Sequence, residues 1–92
     1  MTVFVLPNGL ENHRQGITAS RKMARGAVER NRAKRLLREA FRLGRADLDG
    51  LKRSYDWVFN ARRSLLEVKV DSVINELRSV IARVGADELR RL

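Results

Sequence analysis

The chain has 92 residues, enough for one domain with a modest core, and its 20 lysines and arginines against 11 acids give it a net charge of +9. It contains no cysteine, which excludes disulfides and thiolate metal sites, and no apolar run approaches the roughly 18 residues that a membrane-spanning helix needs. A charge this positive predicts an acidic partner, either a nucleic acid or an anionic membrane surface.

Two β-strands are predicted before the first helix. Thr2–Leu6 is a β-branched and aromatic run that ends at Pro7, and the residues of Gln15–Lys22 alternate in polarity as in a half-buried strand. The polar loop between the two strands contains His13. We assign no role to this side chain, because a lone histidine in a loop is usually solvated.

The stretch from Ala27 to Leu43 is predicted to form a helix, because it lacks proline and internal glycine and is rich in good helix formers. Gly26 precedes the helix and can cap it. The apolar residues recur at helical spacing and form a stripe that should face the core. This stripe consists of Ala33, Leu36, Leu37, Ala40 and Phe41.

An adjoining arc of the same helix is basic. Ten of the 20 lysines and arginines lie between residues 21 and 45, where only Glu29 and Glu39 oppose them. A merely solvated helix face usually mixes both signs of charge, because like charges one turn apart destabilise a helix. Arginine predominates, and its planar fork suits bidentate contacts with phosphate. Nucleic acid is therefore the favoured partner, with a solvated face as the alternative.

A third strand and a second long helix complete the prediction. Ser54–Arg62 alternates in polarity, and its aromatic residues at 55, 57 and 59 are assigned to the core rather than to stacking on bases. Ser64 with Glu67 matches a capping box that starts the helix. Gly85 should end this helix, which leaves Ala86–Leu92 as a frayed tail.

The predicted order is therefore β-β-α-β-α, in a single domain over residues 1–92. The β-α-β unit in the middle places Gln15–Lys22 and Ser54–Arg62 parallel in one sheet. The fold class is a two-layer α+β or α/β sandwich, in which the helices pack on a small mixed sheet.

A long motif spans Gly26 to Arg42. Its centre is Arg30-Asn31-Arg32, and Lys34-Arg35 and Arg38-Glu39 follow. This motif resembles the protein component of bacterial ribonuclease P. Gly16–Lys22 before it and Asp56–Arg62 after it also look like that family, and the resemblance covers about residues 3–83.

The resemblance implies a fold and an activity. The family's enzyme is a ribonucleoprotein endonuclease that removes the 5′ leader from precursor tRNA in the cytoplasm, and its RNA subunit does the chemistry with Mg²⁺. The chain is then expected to bind that RNA and precursor tRNA, with no catalytic residue or metal site of its own. Neither a membrane nor an obligate protein partner is expected. The family's β-α-β crossover is left-handed, against the general right-handed preference.

The resemblance also implies which residues contact RNA. The helix with the Arg-Asn-Arg motif contacts the catalytic RNA, and a cleft between this helix and the sheet holds the single-stranded leader. The expected RNA-binding residues are Arg21, Lys22, Arg25, Arg30, Asn31, Arg32, Lys34, Arg35, Arg38 and Arg42. The expected leader-cleft residues are Phe4, Thr18, Ser20, Lys22 and Arg62.

The N-terminus departs from the family's pattern. Family members usually carry a helix and a strand ahead of the position of Thr2, and these segments supply aromatic residues to the leader cleft. Binding of the catalytic RNA needs the helix from Ala27 to Leu43, which the chain contains. The sequence therefore predicts a chain that assembles with the RNA subunit but discriminates poorly between precursor and mature tRNA.

A general RNA-binding or ribosome-associated module is the main alternative, because it would carry the same charges. A stand-alone nuclease is disfavoured, since no His-Asp or paired-carboxylate cluster has the spacing of a metal or catalytic site. A basic membrane-surface helix is disfavoured because the apolar stripe of residues 33–41 belongs to a core. Reading of double-stranded DNA by the arginine-rich helix is possible, but no dimer element is evident in the sequence.

Overall fold

The computed structural model describes residues 1–90, and within them the chain forms three strands, three α-helices and one 3-10 helix. The order is β-β-α-α-β followed by the 3-10 helix and a last α-helix. The elements are β1 (Thr2–Pro7), β2 (Arg14–Thr18), α1 (Ala27–Leu43), α2 (Arg45–Asp49), β3 (Tyr55–Asn60), the 3-10 helix (Arg63–Glu67) and α3 (Val70–Arg90).

The three strands form one mixed sheet with β3 in the centre. β3 pairs parallel with β2 and antiparallel with β1. The predicted parallel arrangement of the second and third strands is confirmed. In register, Val58 lies between Phe4 on β1 and Gly16 on β2, and Asn60 lies between Thr2 and Thr18.

One face of this sheet is covered and forms the core. The aromatic side chains of Tyr55, Trp57 and Phe59 point to this face and are buried, with Trp57 at 0% exposure. Phe41 of α1 meets Phe59 edge to face at a ring-centroid distance of 5.9 Å. Both long helices contribute their apolar stripes to the same core. The buried helical residues are Ala33, Leu37, Ala40, Phe41, Val73, Ile74, Leu77 and Ile81.

The helix from Ala27 to Leu43 is confirmed with its predicted bounds, but the predicted strand ends are wrong. β2 stops at Thr18 instead of Lys22, because the chain turns there: the carbonyl oxygen of Ser20 accepts hydrogen bonds from the N–H groups of Met23 and Ala24. This turn buries both of those side chains. β1 includes Pro7, which is tolerated because β1 has a free edge. β3 is shorter than predicted by one residue at its start and two at its end.

Both predicted ends of the last helix are also wrong. Residues around Ser64 form a 3-10 helix without a side-chain cap, and α3 begins only at Val70. The helix does not end at Gly85 but continues to Arg90, so most of the expected frayed tail is helical. Arg91 and Leu92 of that tail lie outside the described residues.

The carboxylate of Glu88 explains why α3 continues. It accepts hydrogen bonds from the backbone N–H groups of Lys52 and Arg53, each at 3.0 Å, and from the Tyr55 hydroxyl at 2.7 Å. Burial by itself would raise the pKa of Glu88, but these hydrogen bonds together outweigh it and hold the pKa below its ordinary value. The last turns of α3 are therefore attached to the segment that leads into β3.

Two further features lie between the predicted elements. The short helix α2 lies between the glycines at positions 44 and 50, and it buries Leu48. His13 is not a solvated side chain, because its two ring nitrogens lie within hydrogen-bond distance of Leu48, Tyr55 and Trp57. The expectation that His13 is solvated and has no role is therefore wrong.

Candidate nucleic-acid interface

The exposed side of α1 carries four cationic residues whose side chains have no hydrogen bond or ion pair within residues 1–90. We name these four the basic arc: Arg32, Lys34, Arg35 and Arg38. Lys34 is half-buried and the three arginines are exposed. Lys34 and Arg38 stand one turn apart, so their like charges repel each other, and a polyanion bound on this side would relieve that repulsion. Asn31, which is also exposed, adds an amide that can both donate and accept hydrogen bonds.

Two predicted RNA-binding arginines of α1 are already engaged within the protein. The Nη1 atom of Arg30 donates to the carbonyl oxygens of Ala24 and Arg25 at 2.9 and 2.7 Å, so this side chain holds the preceding loop against the helix. Arg42 binds Glu39 three residues earlier, with Nε 3.1 Å from Oε2. This hydrogen bond lowers the pKa of the Glu39 carboxyl and raises that of Arg42. Arg30 and Arg42 are therefore less available to a phosphate than the basic arc.

A wide cationic cleft lies at the N-terminal end of α1. Its volume is about 1020 Å³, and Glu29 is the acidic residue among those that line it. Its five cationic lining residues are Arg21, Lys22, Arg25, Arg30 and Arg63. Arg63 was not selected from the sequence. The signal that could have found it is the parallel pairing of β2 with β3, since the residues that follow two parallel strands emerge at the same edge of a sheet.

The face of the sheet opposite the core is not covered by any of residues 1–90. We name it the open sheet face, and its central row is Phe4, Val58 and Gly16. Phe4 is 54% exposed, and Gly16 has nothing within 4 Å of the position that a Cβ would occupy. The row therefore presents an aromatic ring beside a stretch of flat backbone, which is a surface on which a nucleobase could stack.

The five residues expected in a leader cleft do not all lie on this face. Phe4 and Thr18 do, and the Thr18 hydroxyl donates to the amide oxygen of Asn60. Arg62 reaches the edge of the face, where its Nε and Nη2 atoms donate to the Thr2 hydroxyl at 2.9 and 2.6 Å. Ser20 and Lys22 lie elsewhere. The Ser20 hydroxyl accepts from the N–H of Met23 in the turn after β2, and Lys22 belongs to the cationic cleft.

The other end of the open sheet face carries an ion pair that was not predicted. Arg14 donates from Nε and Nη2 to the two carboxylate oxygens of Asp56, at 2.8 and 2.7 Å, and the amide of Asn8 donates to one of them at 3.1 Å. The hydrogen bonds from Arg14 and Asn8 lower the pKa of Asp56. Arg14 and Asp56 occupy paired positions on parallel strands, a relationship that depends on the register of the sheet.

The described part of the chain contains no cluster of three or more His, Asp or Glu side chains that could hold a metal ion. No helix among residues 1–90 is long and apolar enough to cross a membrane.

A protein-family model described as Ribonuclease P matches residues 1–85. Three of the similar curated proteins are each named "Ribonuclease P protein component". That of Pelotomaculum thermopropionicum is 40% identical over 83 residues, covering 90% of this chain and 70% of that protein. That of Chromobacterium violaceum is 35% identical over 83 residues, covering 90% and 65%. That of Dehalococcoides mccartyi strain CBDB1 is 52% identical over 64 residues, covering 70% and 48%. The chain thus spans between about half and 70% of the length of these relatives.

Two solved structures are similar to the chain in fold. The RNase P protein of Staphylococcus aureus has a TM-score of 0.68 at 28% identity, covering 90% of this chain and 74% of that one. The RNase P protein of Thermotoga maritima has a TM-score of 0.72 at 30% identity, covering 88% and 74%. The predicted fold class, a small mixed sheet with helices packed on it, is confirmed by this likeness.

Proposed function

The chain belongs to the ribonuclease P protein family, and on that premise we propose that it binds the RNA subunit of ribonuclease P and assists removal of the 5′ leader from precursor tRNA. The observation that carries this proposal is the basic arc. Four cations on one side of α1 have no partner of their own within residues 1–90, and an RNA backbone would supply one.

The basic arc would bind phosphates of the RNA subunit. Arg32, Arg35 and Arg38 can each form two parallel hydrogen bonds with a phosphate, and Lys34 adds a point charge among them. Each phosphate contact releases counterions from the RNA, so binding should weaken steeply as salt rises. Asn31 would contribute a directional hydrogen bond rather than charge.

The leader of precursor tRNA would lie across the open sheet face. Phe4 offers a stacking surface for a base, while Gly16 lets the RNA leader approach the backbone of β2 closely. Thr18 and Arg62 stand at one end of this face, next to the cationic cleft that contains Lys22. A single-stranded RNA could therefore pass from the cleft onto the face.

The chemistry of cleavage belongs to the RNA subunit in this proposal. Magnesium ions, which the family resemblance implies, would be held by that RNA, and we assign no residue of this chain to them. The protein contributes binding and orientation of the substrate in the cytoplasm. When pure protein that has been treated with ribonuclease is incubated with precursor tRNA and Mg²⁺, the leader should remain attached. Specific removal of the leader by that protein would contradict this division of labour.

A general RNA-binding module is the second candidate, because the basic arc needs only a polyanion. Purification of the tagged chain from cells, followed by sequencing of the bound RNA, separates the two candidates. One dominant structured RNA supports the ribonuclease P role. A broad mixture of ribosomal fragments supports the general module and overturns our proposal.

A matched pair of variants tests the basic arc. Arg38→Glu should weaken binding of the RNA subunit strongly at moderate salt. Arg83→Glu should not, because Arg83 is an exposed arginine on α3 and lines a groove with Met1 and Val3 that no residue of α1 lines. Equal affinity of Arg38→Glu and the wild type would mean that the arc is a solvated face.

A further inference from the structure

A groove of about 640 Å³ runs between α1, the 3-10 helix and the first turn of α3. Its floor is apolar in an otherwise highly charged surface. Leu65 is buried beneath it, Leu36 and Leu66 are half-buried, and Val68 is 41% exposed. None of the expected leader-cleft residues lines this groove. The apolar floor therefore needs an explanation of its own.

The rim of the groove is mainly cationic. Arg32 and Arg35 stand on the α1 side and Lys69 on the opposite side, and none of the three has an ion-pair partner within the described chain. Two carboxylates also line it. Glu39 is bound by Arg42, which offsets its charge. Asp71 lies in the first turn of α3, where a negative charge offsets the helix dipole. The groove therefore combines an apolar floor with three available positive charges.

We propose that this groove accepts one unstacked nucleobase of the RNA that is bound on the basic arc. The inference rests on the proposed function and adds to it the part of the RNA that is recognised. A base offers an apolar face to the floor, while its flanking phosphates meet the cations on the rim. Arg32 and Arg35 belong both to the basic arc and to the rim. An RNA backbone bound on the arc therefore passes the mouth of the groove.

The occupant must be unpaired, because a base within a duplex is stacked on both faces and cannot enter a groove. Guanidinium groups on the rim add to the fit, since arginine stacks on the planar surface of a base. An apolar protein segment would match the floor but would leave Arg32, Arg35 and Lys69 without partners. The charge of the rim thus favours a nucleotide.

Two uncharged substitutions test the groove. Val68→Asn places an amide on the floor, and Val28→Asn makes the same change at another exposed valine, 82% exposed in the first turn of α1 and outside the groove. We expect Val68→Asn to weaken binding of the ribonuclease P RNA roughly fivefold, with an unchanged salt slope, because an apolar contact with a base is lost while phosphate contacts remain. Val28→Asn should stay within about twofold of the wild type.

A photocrosslink gives an independent measurement on the assembled complex. A benzophenone amino acid at position 68 should crosslink to one unpaired nucleotide of the RNA, whereas the same group at position 28 should not reach that nucleotide. Wild-type affinity of Val68→Asn, or crosslinking from position 68 to a base-paired segment or to another protein, would overturn the inference while leaving the proposed function intact. A wild-type chain that does not bind the RNA in a salt-dependent manner would overturn the proposed function itself.

Discussion

The indole Nε1 of Trp57 donates a hydrogen bond to Nδ1 of His13 over 3.1 Å, although the two residues are 44 positions apart in the sequence. The backbone N–H of Tyr55 lies at the same distance from this nitrogen. Because Nδ1 accepts, the ring proton resides on Nε2, which donates to the carbonyl oxygen of Leu48 at 3.2 Å. One histidine thus joins the start of β2 to α2 and to the central strand.

Replacing His13 should destabilise the fold. His13→Ala leaves the N–H of the fully buried Trp57 without its acceptor, which costs about 1–3 kcal/mol. His13→Asn should lose less, since the amide oxygen can take the position of Nδ1. Urea unfolding of both variants measures this. In a Trp57→Phe background the cost of His13→Ala should shrink, and an unchanged cost would show that the hydrogen bond contributes little.

Two glycines should respond to alanine in opposite directions. A Cβ on Gly85 would meet only Leu51, at 3.6 Å, so Gly85→Ala should stabilise α3 by about 0.5–1 kcal/mol through its better helix propensity. A Cβ on Gly44 would lie 3.2 Å from the buried side chain of Leu77 and 3.3 Å from the carbonyl oxygen of Ala40. Gly44→Ala should therefore destabilise by about 1 kcal/mol or more. Thermal unfolding of both variants tests the contrast, and a destabilised Gly85→Ala would contradict it.

The Arg14–Asp56 ion pair predicts a dependence of stability on pH. Its hydrogen bonds lower the pKa of Asp56 below the ordinary value of 3.8, so the pair stabilises the folded state above that pH. This contribution should decline as the pH falls through 3.8 and vanish below the lowered pKa. Melting temperatures of the wild type and Asp56→Asn should differ at pH 7 and converge in acid. The melting temperature of Arg14→Gln should depend on pH in the same way as that of Asp56→Asn. A difference in melting temperature from the wild type that persists in strong acid would argue against the ion pair.

Experiments should distinguish the roles of Arg30 and Arg38, although both residues lie on α1. Arg30→Gln should lower stability, because the loop carbonyls of Ala24 and Arg25 lose their charged donor. Arg38→Gln should leave stability unchanged and reduce the salt slope of RNA binding by roughly 0.7–0.9. Leu37→Asp, at a buried position next to it, should unfold the domain. Loss of stability in Arg38→Gln would show that its side chain has a structural role.

Elements specified by local patterns were predictable from the sequence alone. The bounds of α1 follow from helix propensity and from the glycines at positions 26 and 44, and the burial of Tyr55, Trp57 and Phe59 follows from the alternation of β3. The basic arc was visible for the same reason, because helical spacing alone decides which cations share one side. Family membership also followed from a local motif, the one around Arg30-Asn31-Arg32.

What only the tertiary structure decided depends on contacts between residues far apart in the chain. Gly85 does not end α3, because Glu88 beyond it accepts hydrogen bonds from residues 52, 53 and 55, more than thirty positions away. The sequence pattern predicts Arg30 as a phosphate ligand, yet its guanidinium donates to carbonyl oxygens of the loop before the helix. His13 acquires its role only when β3 occupies the centre of the sheet. Local propensities cannot encode such pairings, since each of them requires a strand order and a register that form when the whole core packs.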